Sequence, residues 1–242
     1  MNGLIALLGS GEYLPVMDEV DRYLLANSSA DGRVPRVVCL PTAAGQEGNE
    51  SVERWSRMGR DHFQHLGADV SATRVIDRAS ADDPQWETVL ESADLIYFSG
   101  GSPMYLLETM KDSRAWAAAQ RAWARGAAYA GCSAGAMILG QFVPDIRRMG
   151  LSNLKGFGIL PARFIIPHFD SIPAVWRPFI LALRQKLKND EWMLGLDEDT
   201  ALVGRLGGTW RVMGRQTVSV ITKQNTQVYK SGDEVPLQTR KP

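Results

Sequence analysis

The stretch Ala127-Ala-Tyr-Ala-Gly-Cys-Ser-Ala-Gly135 decides the fold of this chain. Its first four residues are apolar and mostly small, which is typical of the end of a buried strand. The last five have the form G-x-S-x-G of a nucleophile elbow, in which a strand runs into a tight turn and a helix leaves at once. We therefore predict that Ser133 lies in a strained turn between small residues, because the turn packs backbone against backbone. The backbone N–H of Ala134 would then lie close to where a substrate oxyanion forms.

The composition is that of an ordinary globular protein. The 242 residues are 45% hydrophobic and 22% charged, and this length suits a single α/β domain over residues 1–242. Lys and Arg together number 27, as do Asp and Glu, so the formal net charge is zero. Because no field of one sign would gather nucleic acid or an anionic membrane, we expect neither as a partner.

The first residues and the two cysteines bear on the cellular compartment. Residues 1–9 have no basic n-region and too short an apolar run for a signal peptide, so they are better interpreted as a first buried strand. Cys39 and Cys132 do not make a disulfide framework. Cys132 stands one place before Ser133, so we interpret it as a core residue whose side chain points away from the site. We expect a cytoplasmic protein, and a homo-oligomer stays open.

Apolar runs alternate with helical spacing along most of the chain, which predicts a mostly parallel sheet with helices on both faces. Short runs after residue 200 predict antiparallel strands added at one edge. Strands are predicted over residues 4–8, 36–40, 70–76, 94–98, 163–167 and 193–196, then over 201–203, 209–213, 218–221 and 227–229. Helices are predicted over residues 49–66, 83–92, 103–125 and 174–188.

A nucleophilic serine needs a base, and the chain has three histidines. His62 and His65 share one face of a predicted helix, but no carboxylate or cysteine set accompanies them, so we interpret them as a solvated face and predict no metal site. His168 follows the predicted strand over residues 163–167. Because ligands of open α/β sheets bind outside the carboxyl ends of strands, His168 is predicted on the same rim as Ser133.

A histidine base is held in one tautomer by a carboxylate, and three carboxylates compete for this role. Glu198 comes just past a predicted strand that would share the rim. Asp170 lies two residues from His168, which is close for a side chain on an extended segment to reach the ring. Asp145 falls between Ser133 and His168, which gives the chain order of α/β-hydrolases. The residues alone leave this choice open.

Donors for an oxyanion are predicted after the strand over residues 94–98. Gly100 and Gly101 follow it directly, and two glycines there let backbone N–H groups approach a ligand closely. Ser102 before Pro103 is typical of a helix start, with an N-cap oxygen and then a proline at the first helical position. The helix dipole would favour negative charge at this point.

Four segments in this order resemble the S51 peptidase family, which includes aspartyl dipeptidase (peptidase E) and cyanophycinase. They are Phe98-Ser-Gly-Gly-Ser102, Gly131-Cys-Ser-Ala-Gly135, Pro167-His-Phe169 and Gly195-Leu-Asp-Glu-Asp-Thr-Ala201. The resemblance implies the flavodoxin-like core of class I glutamine amidotransferases, a three-layer α/β sandwich. It also implies Ser133 as nucleophile, His168 as general base and acid, and Glu198 as the triad acid. Asp145 stays as the alternative acid, since an Asp soon after the nucleophile has been proposed for peptidase E.

The same resemblance implies that Gly101 and Ala134 supply the oxyanion hole, and that Gly100 and Ser102 border the substrate. The expected function is hydrolysis of a small peptide or amide through an acyl-enzyme, with no metal or organic cofactor. The alternatives are a catalytically silent binding module of the same fold and an α/β-hydrolase esterase. The segments after these motifs depart from both named groups. Candidates to hold an acidic substrate are therefore open among Arg147, Arg148, Arg163 and Arg177.

Overall fold

The computed structural model describes residues 2–145 and 153–237. The strands in these ranges are β1 (Ile5–Leu8), β2 (Arg36–Leu40), β3 (Asp69–Ala72), β4 (Leu95–Phe98), β5 (Ala128–Cys132), β6 (Phe142–Pro144), β7 (Asn153–Lys155), β8 (Ile165–Ile166), β9 (Trp192–Leu196), β10 (Thr200–Gly204), β11 (Trp210–Gly214), β12 (Thr217–Thr222), β13 (Thr226–Lys230) and β14 (Glu234–Val235). The α-helices are α1 (Asp18–Ala26), α2 (Asn49–His65), α3 (Arg78–Ala81), α4 (Gln85–Glu91), α5 (Pro103–Met110), α6 (Arg114–Arg125), α7 (Ala134–Met137) and α8 (Arg177–Gln185).

The main sheet has the strand order β14-β11-β10-β1-β5-β4-β2-β3 within the described ranges. The five strands from β1 to β3 in this order are parallel to one another, and β10, β11 and β14 continue the sheet antiparallel beyond β1. This confirms the predicted mixed α/β fold, with a mostly parallel sheet and antiparallel strands from the C-terminal part. The carboxyl ends of β1, β4 and β5 meet at one rim of the sheet.

Helices cover both faces of this sheet. Along β1, Ile5 and Leu7 pack into one buried cluster with side chains of α4, α5 and α6, whereas Ala6 and Leu8 pack into another with α1 and α2. Alternate side chains of a strand point to opposite faces, so the two clusters lie on opposite sides of the sheet. The result is the three-layer sandwich that the family resemblance implies.

A second sheet has the order β13-β12-β9-β8, with β8 and β9 parallel. Contrary to our expectation, the predicted strands over residues 218–221 and 227–229 do not extend the main sheet: β12 pairs with β9, and β13 pairs with β12. The reason is that β9 is buried on both faces: Leu194 packs into the main core, while Met193 packs with Leu183 of α8. Pairing between distant strands is not readable from local periodicity.

Several element boundaries differ from the prediction. The single helix expected over residues 103–125 is two helices, because Asp112 adopts a left-handed φ of 56° and the Ser113 hydroxyl caps α6 by accepting the Trp116 N–H at 3.0 Å. The strand expected over residues 163–167 shrinks to β8, since proline at 167 has no N–H to donate.

One expectation about histidines is wrong. His62 is not on a solvated face: it is buried, and its Nε2 lies 2.8 Å from a carboxylate oxygen of Asp21, which is also buried. His65, three residues later, is exposed. The described cysteines Cys39 and Cys132 are both free and buried, in line with the absence of a disulfide framework. No helix within the described ranges is long and apolar enough to cross a membrane.

Candidate active site

Ser133 lies at the turn between β5 and α7, with φ 48° and ψ −102°. A non-glycine residue rarely takes this backbone conformation, which is the strained turn that the elbow motif predicts. Glycine is needed at position 131, because a Cβ there would lie 2.4 Å from the carbonyl carbon of Gly135. The serine N–H donates to the Leu8 carbonyl at 2.9 Å, which fixes the turn to the end of β1.

His168 follows β8 and approaches the serine from the second sheet. Its Nε2 lies 3.2 Å from the Ser133 Oγ, within hydrogen-bond reach. The backbone of His168 has a left-handed φ of 50°, and the next N–H, of Phe169, donates to the Leu196 carbonyl at 3.0 Å. The base and the serine therefore meet where the carboxyl edges of two different sheets come together.

Glu198 follows β9 and reaches the other nitrogen of the same ring. Its Oε1 lies 2.8 Å from the His168 Nδ1. A carboxylate that accepts the Nδ1 proton leaves Nε2 free to accept the proton of the Ser133 hydroxyl. The histidine and glutamate side chains are 45% and 40% exposed, so a substrate in solution reaches them directly.

The three acidic residues after β9 have different partners. Asp197 accepts a hydrogen bond from the Thr217 N–H at 3.1 Å, at the start of β12. Asp199 pairs with Arg215 at 3.2 Å. Glu198, between them in the turn that links β9 to β10, is the one whose carboxylate contacts the histidine.

The two other candidate acids are Asp170 and Asp145. The Asp170 carboxylate accepts the Glu198 N–H at 2.8 Å and a Gln216 side-chain N–H at 2.8 Å, so it supports the glutamate rather than the histidine ring. Asp145 directly follows β6. The two ring nitrogens of His168 contact Glu198 and the serine.

In the loop after β4, the backbone N–H groups of Gly100 and Ser102 donate within the protein, whereas Gly101 lines the same cleft as the serine. The Gly100 N–H donates to the Glu12 Oε1 at 2.8 Å, and the Ser102 N–H is likewise bonded within the protein. None of the hydrogen bonds found among the described residues has the N–H of Gly101 or Ala134 as its donor. Gly101 has a φ of 140°, which an L side chain rarely adopts, so the loop conformation requires glycine there.

Ser102 has the capping role predicted for it. Its Oγ accepts the Tyr105 N–H at 3.4 Å at the start of α5, while its own N–H donates to the Ala43 carbonyl at 2.9 Å. The backbone N–H groups of Gly100 and Ser102 thus both donate to acceptors within the protein. Gly101 lies between them and lines the cleft beside the serine.

Glu12 is a residue that the sequence reasoning missed. Its Oε1 holds the Gly100 N–H and its Oε2 accepts the Cys132 thiol proton at 2.9 Å, so this largely buried carboxylate ties the loop after β4 to the elbow. Burial, with the neighbouring Glu12 charge, raises the pKa of Cys132 well above its ordinary value. The thiol therefore stays protonated and faces away from the cleft, as predicted. The missed signal is an acidic residue in a glycine-rich turn directly after a buried first strand.

An open cleft of about 260 Å³ lies beside the serine and the histidine. Its described wall consists of six large apolar side chains and four prolines, together with Gly101, Ser133, His168 and Ser171. The six apolar side chains are Met137, Ile166, Ile172, Trp176, Phe179 and Ile180. We call this space the apolar cleft.

The arginines proposed to hold an acidic substrate do not line this cleft where the structure describes them. Arg163 pairs with Glu191 at 2.7 Å, and its guanidinium lies 4.9 Å from the centre of the Phe142 ring. Arg177 is exposed at the start of α8. Arg147 and Arg148 lie outside the described residues. In the ranges that are described, no group of three or more His, Cys, Asp or Glu residues is placed to hold a metal ion.

Comparison with known proteins finds that this chain is similar to peptidases. The sequence model of peptidase family S51 matches residues 5–209. A cyanophycinase of Synechococcus elongatus is 28% identical over 176 residues, which are 68% of this chain and 53% of that protein. The uncharacterized peptidase YgaJ of Bacillus subtilis is 31% identical over 171 residues, which are 70% of each chain. This chain thus spans about half the length of the cyanophycinase it matches.

Solved structures agree with the same fold. The crystal structure of a peptidase from an acI-B1 actinobacterium is 36% identical, covers 97% of each chain and superposes with a TM-score of 0.87. A putative peptidase E protein from Listeria monocytogenes has a TM-score of 0.63 over 95% of this chain at 18% identity, a likeness that concerns the fold alone.

Proposed function

The chain belongs to peptidase family S51, and on this premise we propose that it is a serine-type hydrolase of small peptides or amides. Ser133 is the nucleophile, His168 the general base and acid, and Glu198 the residue that orients the histidine. The observation that carries this proposal is the hydrogen-bond chain from the Ser133 Oγ to the His168 ring, 3.2 Å, and from the ring to the Glu198 carboxylate, 2.8 Å.

The first half of the reaction forms an acyl-enzyme. The Ser133 Oγ attacks the carbonyl carbon of the scissile amide while its proton passes to the Nε2 of His168. The negative charge then rests on the carbonyl oxygen, and the positive charge of the imidazolium is stabilised by Glu198. His168 gives the proton to the leaving nitrogen, the C–N bond breaks, and an ester to the serine remains.

The second half returns the enzyme to its starting state. A water molecule gives a proton to the His168 Nε2 and attacks the ester carbonyl. The tetrahedral intermediate collapses, the serine recovers the proton from the imidazolium, and the carboxylic acid leaves. The open face of the histidine and glutamate pair, both nearly half exposed, gives water this access.

The oxyanion of each tetrahedral intermediate is held by the backbone N–H groups of Gly101 and Ala134. Support comes from the position of Gly101 along the cleft, from the position of Ala134 directly after the serine, and from the finding that neither N–H donates a hydrogen bond within the described part of the chain. A donor of this kind is worth about 3–4 kcal/mol of transition-state stabilisation.

Substitution of the serine tests the proposal. We expect Ser133→Ala to abolish hydrolysis of a dipeptide and amide panel, with an unchanged circular dichroism spectrum and melting temperature. A fluorophosphonate probe should label the wild-type chain at Ser133 and leave the variant unlabelled. A wild-type chain that neither reacts with the probe nor cleaves any amide would instead be the silent binding module of the same fold.

A further inference from the structure

The wall of the apolar cleft next to the proposed nucleophile is formed by large apolar side chains. The described residues that line it offer no opposite charge to a charged substrate group. Trp176, Phe179 and Ile180 reach the apolar cleft from the segment that ends in α8, and Ile172 from the loop after the histidine. Met137 closes the cleft from α7, the helix that leaves the elbow. Because this wall starts at Ser133 and His168 themselves, a group bound in it lies directly next to the bond under attack.

The chemistry of the wall selects by polarity. The described residues that line it include no Arg, Lys, Asp or Glu. A carboxylate or ammonium that entered would lose its hydration without gaining a partner, which is unfavourable, whereas an aliphatic or aromatic side chain would gain from leaving water. Arg163, one of the arginines considered as a partner for an acidic substrate, is already paired with Glu191.

The wall is also incompletely covered in the protein alone. Ile172, Trp176 and Ile180 are each part-exposed, although their side chains are large and apolar, while Phe179 beneath them is buried and anchors the segment to the second core. Apolar surface of this kind, concave and next to polar reacting groups, is the usual composition of a substrate pocket.

We propose that the apolar cleft is a specificity pocket, and that the substrate carries a large aliphatic or aromatic side chain directly beside the scissile amide. This inference rests on the proposed function, since it places the substrate against Ser133 and His168. It assigns an apolar substrate class and not the acidic one that an arginine would hold.

Binding to a protein that lacks the nucleophile tests the pocket apart from catalysis. In the Ser133→Ala protein, dissociation constants are measured by calorimetry for two dipeptide series, X-Ala and Ala-X, with X as Leu, Phe, Asp or Lys. We expect Leu and Phe to bind about 10–100-fold more tightly than Asp and Lys in one of the two series, in the range that a hydrophobic pocket achieves. Charged residues that bind equally well or better, no discrimination in either series, or no binding at all would overturn the inference.

Variants of the wall locate the effect. Trp176→Ala, added to Ser133→Ala, should weaken binding of Leu and Phe dipeptides about 10-fold and leave the Asp and Lys dipeptides unchanged. Ile180→Ala serves in its place if the tryptophan variant does not fold. Val175→Ala is the matched control, because this side chain is 72% exposed and does not line the cleft. A preference that survives both wall variants would contradict the proposal.

The two proposals fail separately. Labelling and turnover by the wild-type chain with Asp as the best residue would leave the hydrolase in place and remove the apolar specificity. Preferential binding of apolar dipeptides to Ser133→Ala, combined with a wild-type chain that takes no fluorophosphonate label, would leave the apolar pocket in place and remove the hydrolase.

Discussion

Ser133, His168 and Glu198 carry the proposed chemistry because their backbones hold the side chains before a substrate arrives. The serine and the histidine both have left-handed φ values, 48° and 50°, which only a well-supported turn maintains. Asp170 adds a second layer by accepting the Glu198 N–H at 2.8 Å. Proton transfer from the serine requires such preorganisation. The distances from Ser133 to His168 and from His168 to Glu198 are already within hydrogen-bond reach.

The choice of triad acid is a prediction about one carboxylate. We expect Glu198→Gln to lower kcat by about 10²–10⁴-fold, because an amide does not stabilise the imidazolium as a carboxylate does. Asp145→Asn, which changes the alternative acid, should stay within a few-fold of the wild-type kcat. Steady-state kinetics on the same substrate compare the two; a severe loss confined to the Asp145 variant would show that the acid is misassigned.

Glu12 is predicted to be a positioning residue for the loop after β4. Glu12→Ala removes the acceptor of the Gly100 N–H, so the neighbouring Gly101 N–H should lose its fixed position and kcat should fall about 10–100-fold with little change in KM. Glu12→Gln keeps a carbonyl oxygen for this bond and should restore most of the activity.

The control for Glu12 separates its two hydrogen bonds. Cys132→Ala removes the thiol donor and leaves the bond to Gly100 in place, so it should retain nearly wild-type kcat. If Cys132→Ala lowers kcat as much as Glu12→Ala does, the effect belongs to packing at the elbow and not to the loop.

At the scale of elements, the serine and the histidine are positioned by short segments, and neighbouring strands stabilise these segments. The nucleophile sits between a five-residue strand and the four-residue helix α7, and the histidine follows the two-residue strand β8. Such short pieces have little stability of their own. They are held because β5 pairs on both sides, with β1 and β4, and because β8 pairs with β9.

The start of β4 contains a buried ionic contact that shows how these strands are fixed. The Asp94 carboxylate is fully buried and accepts hydrogen bonds from Arg33 at 2.7 Å, from the Arg36 N–H at 2.9 Å and from Ser29 at 2.9 Å. Burial by itself raises the pKa of Asp94, but these hydrogen bonds outweigh it and hold the pKa below its ordinary value. The ionised form is therefore the one that stabilises the fold.

Asp94→Asn is expected to lower the free energy of unfolding by about 2–3 kcal/mol at pH 7, through the lost charged hydrogen bonds. A carboxyl whose folded pKa is depressed stabilises above its unfolded pKa, about 3.9, and loses this contribution as the pH falls through the folded value. The difference between wild type and variant should thus shrink below about pH 4. Urea titrations from pH 7 to pH 3 measure it, with the exposed Asp69→Asn as the control that should change stability little.

At the scale of the whole molecule, the site is assembled from two sheets. The serine and the loop after β4 belong to the main sheet, while the histidine and the glutamate follow β8 and β9 of the second sheet. The second sheet has its own buried cluster, in which Leu183 of α8 packs against Met193 and Ile221. The distance from nucleophile to base therefore depends on how these two sheets pack.

A matched pair of core substitutions tests this dependence. Leu183→Ala in the second core and Leu24→Ala in the α1 layer each remove a fully buried side chain, so each should destabilise the protein by about 2–5 kcal/mol. We expect only Leu183→Ala to lower kcat, about 10-fold, at a temperature where both variants are folded. Equal kcat losses in the two variants would mean that the site responds to global stability alone.

The sequence predicts the parts of this site that depend on local pattern. The elbow at Ser133, the Gly100-Gly101 loop and the strand-end position of His168 follow from short motifs, and the parallel core follows from alternating periodicity. Contacts between distant segments are the part that it does not predict. Glu12 holds a loop 88 residues later in the chain, and β12 pairs with β9 rather than with the main sheet. The break at Asp112 also escapes periodicity, because apolar residues continue at helical spacing from α5 into α6 and the signal is a single serine cap.

The origin of the nucleophile and the base in different sheets has a consequence for a chain that is still being synthesised. Ser133 and its turn emerge from the ribosome with the parallel strands, but β9, which places Glu198, is paired on one side by β12, and β12 ends at Thr222. Domains assemble on the ribosome as their segments become available. A nascent chain therefore holds the serine without the proposed relay until β12 has emerged, so the proposed activity is not expected before that point in synthesis.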